Sequence, residues 1–238
     1  MYRHLLVLSL TGLLSLPAAA ADDIDQIGAL TQSDFRNLSQ DLGAALSYKA
    51  VVPTEPLGIA GFDIGMEVTA TKLRHRDAWD RASSGTVSDT VYIPKLHVHK
   101  GLPAGFDIAA FYSTVPSTNV ELWGAELRYA LLQGGVATPA LGLRATYSRV
   151  TGVEQLDFST RGVEIGISKG FTLITPYAGI GRVWVDSEPR VATLTAENFS
   201  DAKLYAGVNF NFVLGNLALE GDRVGDTTSY SAKFGFRF

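Results

Sequence analysis

The last nine residues of this 238-residue chain read Tyr230-Ser-Ala-Lys-Phe-Gly-Phe-Arg-Phe238. Side chains on a strand alternate between two faces. Tyr230, Ala232, Phe234, Phe236 and Phe238 therefore share one face, and Ser231, Lys233, Gly235 and Arg237 the other. One face is bulky and apolar, and the other carries two cations and no apolar mass. The same alternation recurs from Gly58 onward. It is clearest in Phe62–Ala70, where Phe62, Ile64, Met66, Val68 and Ala70 oppose Asp63, Gly65, Glu67 and Thr69. Counting such segments predicts about ten strands, with twelve as the alternative if the extended run from Ser47 to Val51 pairs as well. Pro94 cannot donate to a ladder, so the strand that holds it is expected to carry a bulge or a local gap.

The connections alternate in length. Residues 100–104, 133–138, 169–171 and 213–216 are short, whereas 74–89 and 187–199 are long and polar. Short turns at one end and longer loops at the other fit a membrane barrel. With Phe238 at the short-turn end, Phe62, Phe106, Tyr129, Tyr177, Phe210, Phe212, Phe236 and Phe238 fall toward that rim. Tyr92, Tyr112, Trp123, Tyr147 and Tyr230 fall toward the other, giving two aromatic belts. A soluble β-sandwich would explain the alternation. It would not explain charges on the second face of nearly every strand.

A chain ending in Tyr230-x-Ala-x-Phe234-x-Phe236-x-Phe238 resembles the C-terminal strand of small Gram-negative, proteobacterial outer-membrane β-barrel proteins, some with a helical N-terminal segment. The resemblance implies a closed antiparallel transmembrane β-barrel in the cell outer membrane, bounded by lipid and lipopolysaccharide. It also implies that Tyr230, Phe234, Phe236 and Phe238 are the signal read by the barrel-assembly machinery. No catalytic motif is matched, so no catalytic residue is carried over.

The N-terminus is compatible with export. Arg3 and His4, the apolar run Leu5–Leu16 and the small residues Pro17–Ala20 predict a signal peptide over 1–20. The chain has no cysteine, so it must hold together by ladder and core alone. Its formal charge of −4 gives no reason to expect nucleic acid. Residues 21–57 form a separate unit before the barrel at 58–238. There Thr31-Gln-Ser-Asp34 fits a capping box, followed by Phe35, Leu38, Leu42 and Ala45 at helical spacing. Three places are open to this helix: inside the barrel, under its periplasmic mouth, or on a periplasmic partner. The first is favoured, because Arg36 and Asp41 would find partners in a polar lumen.

The inward face is assigned Asp63, Glu67, Lys95, Asp107, Glu126, Arg128, Arg144, Glu164, Arg182, Asp186, Lys203, Glu220, Asp222, Lys233 and Arg237. A barrel of about eight strands is filled by side chains, and open aqueous channels have about 16. The expected role is therefore structural, or a narrow passage for small solutes through a charge-paired lumen. His97 and His99 form a weak metal candidate, since two ligands do not make a site; no cofactor is expected. The alternatives are a barrel hydrolase acting on lipid or peptide, or interaction through the outer loops. For the hydrolase, Ser83, His75 and Asp77 in the long loop can be drawn as a nucleophile, base and acid. A polar loop supplies such residues by composition alone.

Overall fold

The computed structural model describes residues 23–238 except 86, 116, 117 and 214. The predicted signal peptide at 1–20 lies outside the described residues. Ten antiparallel strands close into a barrel in which each strand pairs with its neighbours in sequence and the first pairs with the last. They are β1 (Phe62–Lys72), β2 (Thr90–Gly101), β3 (Phe106–Thr114), β4 (Glu121–Gln133) and β5 (Ala140–Thr151). These are followed by β6 (Leu156–Ser168), β7 (Ile174–Pro189), β8 (Glu197–Asn211), β9 (Asn216–Val224) and β10 (Thr227–Arg237). The closing seam runs from Asp63 opposite Arg237 to Lys72 opposite Thr228. Closure gives every strand a partner on both sides, so no strand stands as a free edge among the described residues.

Burial is inverted relative to a water-soluble protein. Asp63, Glu67, Lys95 and Lys233 are essentially inaccessible, while Met66 is 58%, Leu96 52% and Leu204 58% exposed. The alternation in sequence is thus an alternation between lumen and exterior. Pro94 causes no break in the β1–β2 register, where it sits opposite Val68. The β2–β3 ladder begins only at Leu96 opposite Tyr112, which leaves a gap on that side.

The run from Ser47 to Val51 joins no ladder, and the strand count is ten. Before it comes helix α1 (Gln32–Leu46), whose N-cap Thr31 accepts from the Asp34 amide at 3.2 Å. The Thr31 hydroxyl, and then Arg81, hold the Asp34 carboxyl below the usual aspartate value. The first turns show the amphipathic pattern, with Phe35 and Leu38 buried and Arg36 exposed. From Asp41 to Thr54 every residue is buried, so no solvent face remains. The small run Gly43-Ala44-Ala45 lets a helix fit inside so narrow a barrel. At Gly43 a Cβ would lie 2.7 Å from Val185 Cγ2, so this close approach to β7 requires glycine. The long loop after β1 contains a short helix that the sequence did not announce, α2 (Arg76–Ala82), which buries Trp79 beside α1.

Candidate functional site: a lumen occupied by the chain itself

The N-terminal segment runs the length of the barrel. Asp23 accepts from the Asn119 amide in the β3–β4 loop, and the Gln26 amide donates to Ala82 O. These contacts place the start of the segment at the long-loop end. At the other end the Leu57 amide reaches Asp107, and the chain turns through Gly58–Gly61 into β1. The helix fills the loop-side half, and residues 47–57 descend through the rest.

A buried extended segment without a sheet partner must find other partners for its backbone. Here the lumen charges supply them. The Glu220 carboxylate accepts from the Ala50 amide at 3.2 Å and the Val51 amide at 2.8 Å. Lys203 Nζ donates to Tyr48 O at 2.7 Å, and Arg128 Nη1 to Pro53 O at 2.7 Å. The Ser148 hydroxyl donates to Leu46 O at 2.7 Å, and Ser168 accepts from the Glu55 amide at 3.1 Å. Val51 has φ +39°, a conformation costly for a β-branched residue. The carboxylate of Glu220 holds it there.

Lys49 is the cation that the segment itself brings into the lumen, with a side chain 0% exposed. Its Nζ donates to Asp222 at 2.9 Å, to Ser229 at 3.3 Å and to Ala44 O at 2.7 Å. It therefore neutralises a wall carboxylate and joins the Ser47 hydroxyl on a carbonyl at the helix C-terminus, where positive charge is favourable.

The remaining inward charges pair within the wall. Asp63 meets Lys233 at 2.7 Å and Arg237 at 2.9 Å. Glu67 meets Lys95 at 2.9 Å and abuts His97 Nε2. Arg144 bridges Glu126 and Glu164, each at 2.9 Å, and Lys203 meets Glu164 at 2.6 Å. Arg128 pairs with Asp107 at 2.7 Å. Thirteen of the fifteen charges assigned inward thus share the lumen.

Arg182 and Asp186 do not. Both point outward from β7, where Arg182 donates to Ser200 Oγ and Asp186 pairs with Arg161. The inward positions are Tyr177, Val183 and Val185, which are buried. The reason is the helix. Its apolar surface needs an apolar wall, so β7 reverses the usual assignment and turns its charges outside. Tyr177 also leaves the belt predicted at the short-turn rim and packs inside with Ala50 and Tyr205, and Gly207 provides room for its ring, since a Cβ there would lie 2.4 Å from it.

His97 and His99 stack with ring centroids 5.6 Å apart. Among the described residues no cluster of three or more metal-ligating side chains includes them. His75 faces Asp41 rather than a nucleophile, with Nδ1 to Oδ1 3.4 Å. The Ser83 hydroxyl donates to Trp79 O and Gly85 O.

Asp41, expected from the sequence to find partners in a polar lumen, finds them chiefly in the loop after β1 and ties the helix to it. Its carboxylate accepts from the Arg74 amide (3.1 Å), the His75 amide (2.9 Å), Trp79 Nε1 (3.3 Å) and Thr227 Oγ1 (3.0 Å). An ionised acceptor is worth about 1.5–3 kcal/mol per bond. We expect Asp41→Ala to undock the 74–89 loop, read as faster trypsin cleavage at Arg74, Arg76 and Arg81 with the barrel intact.

No protein-family model and no curated protein matches the sequence. Among solved structures, the chain is similar to a loop-deletion mutant of OmpT, an outer membrane protein of Vibrio cholerae. That match has 12% identity and a TM-score of 0.34, and covers 62% of this chain and 54% of that one. The chain thus spans about half the length of that protein. It is also similar to the N-terminal β-barrel domain of Pseudomonas aeruginosa OprF (12% identity, 74% and 97% covered, TM-score 0.37). A third similar structure is the KdgM porin (11% identity, 75% and 99% covered, TM-score 0.37).

Proposed function

We propose that this chain is an outer-membrane β-barrel protein whose lumen is closed by its own N-terminal segment, a narrow passage held shut rather than an open pore. The unbroken burial of Asp41–Thr54, with the backbone bound by lumen charges, carries the closure. The inverted burial supports the membrane: a closed barrel with large apolar side chains outside and charges inside is stable where lipid surrounds it. Short turns face the periplasm in such barrels. On this reading the helix and the start of the segment lie at the cell surface.

The orientation is testable. An epitope placed between residues 22 and 23 should be labelled by antibody on intact cells, with the protein in the outer-membrane fraction. Labelling only after the outer membrane is permeabilised would reverse the orientation. Recovery in the soluble periplasmic fraction would remove the membrane reading altogether.

A further inference from the structure

The exterior of the barrel carries a groove of about 900 Å³ across β5–β9, and its apolar walls are Leu143, Val163, Ile165, Ile180 and Leu204. Two arginines, Arg182 and Arg223, and Trp184 line the same groove. A strand needs roughly 9–11 residues to cross the hydrocarbon. Counted from Ile174, the outer edge of the band falls at Arg182 to Trp184. On β9 (Asn216–Val224), Arg223 is the last residue but one before the loop-side end. Both arginines therefore stand where the acyl region gives way to headgroups.

Neither joins the lumen network, and the one carboxylate partner between them, Asp226 beside Arg223, is exposed. Among the described residues Arg182 has no carboxylate within ion-pair distance and donates only to Ser200 Oγ, at 3.0 Å. Arg223 reaches Gly225 O at 2.9 Å and the exposed Asp226 at 2.6 Å. Between them lies Ala202, opposite Arg182 in the ladder, whose small side chain keeps the groove open. Guanidinium forks match phosphate oxygens bidentately, and an ammonium would not.

We infer that this groove binds a phosphorylated glycolipid of the outer leaflet, with phosphate held by Arg182 and Arg223 and an acyl chain lying against Ile165, Ile180 and Leu204. The inference rests on the membrane reading above, and charge complementarity selects the occupant: an apolar slot whose rim carries two guanidiniums against one exposed carboxylate, Asp226, keeps a net positive edge that fits an anionic lipid.

The test uses the full-length protein in detergent micelles, with bisphosphorylated lipid A and its fully dephosphorylated form as probes and native mass spectrometry as the readout. The parent protein and the Arg190→Gln control should retain the bisphosphorylated lipid. Arg182→Gln/Arg223→Gln should weaken retention by roughly tenfold or more. Ala202→Phe, which fills the slot and leaves both arginines, should also weaken it. Circular dichroism matching the parent confirms each fold. Equal retention of both lipid forms, or retention unchanged in both variants, would overturn the site. Insertion into phosphatidylcholine vesicles is scored separately, so failure of the lipid site is distinguishable from failure of the barrel reading.

Discussion

Lys49→Met is expected to release the N-terminal segment from the lumen while the barrel stays closed. The substitution keeps the length of the side chain and removes its charge. Asp222 then faces a dry interior without its cation, and Ala44 O keeps only the Ser47 hydroxyl as a donor. Removing one partner of a buried ion pair costs about 3–5 kcal/mol, because the other charge remains desolvated. Withdrawal of the segment relieves that cost by letting water reach Asp222, and it breaks no strand ladder. The chain lacks cysteine, so Ala50→Cys, at a fully buried position, is a clean probe. A maleimide reagent should label it some ~10²- to 10³-fold faster in the Lys49→Met background. Replacing Asp222 by Leu as well should recover most of the protection, since an apolar pair leaves no charge stranded. An unchanged labelling rate would mean that the lumen is wet enough to solvate Asp222 in place.

Arg144→Met should act on the barrel itself. Arg144 lies between Glu126 and Glu164 and also donates to the Tyr205 hydroxyl at 3.3 Å, all within the wall. Its loss leaves Glu126 with Arg128 at 4.0 Å as its remaining cation, while Glu164 keeps Lys203. The expected destabilisation is again about 3–5 kcal/mol. It should now appear as a lower urea midpoint for unfolding the strands. Adding Glu126→Gln should return part of the loss by removing the stranded charge. A midpoint equal to the parent's would place water, rather than Arg144, as the partner of these carboxylates.

The two substitutions separate what was legible in the sequence from what was not. The barrel was legible because each strand writes its two environments directly as alternation. Phe62–Ala70 and Tyr230–Phe238 place their faces as the sequence predicts, and they pair with each other across the seam. The rule that charge marks the lumen failed on β7. That strand is 16 residues long, more than a bilayer crossing needs, and its loop-side half meets the helix on one side. There Val183 and Val185 are inside, and Arg182 and Asp186 outside. The helix could be read from Thr31 and the spacing of Phe35, Leu38 and Leu42. The path of residues 47–57 could not, because its backbone is bound by Glu220, Lys203, Arg128 and Asp107, residues 50 to 170 positions away. No local pattern encodes such partners. A lone lysine between Tyr48 and Ala50 was the available signal. In an otherwise apolar stretch leading into a barrel, it marks a buried counter-charge.

Closure of the lumen by residues 31–57 is tested most directly by single-channel conductance of a chain in which the segment can be locked and freed. Ser39 Oγ lies 2.8 Å from Ser187 Oγ, joining α1 to β7. Ser39→Cys/Ser187→Cys adds a disulfide at this contact to a chain with no other cysteine. Combined with Lys49→Met in a planar bilayer, the oxidised protein should be silent, and reduction should produce small conductance steps that vanish on reoxidation. Steps of the same size in the fully oxidised protein would contradict the account, because ions would then be crossing a lumen that the segment still occupies.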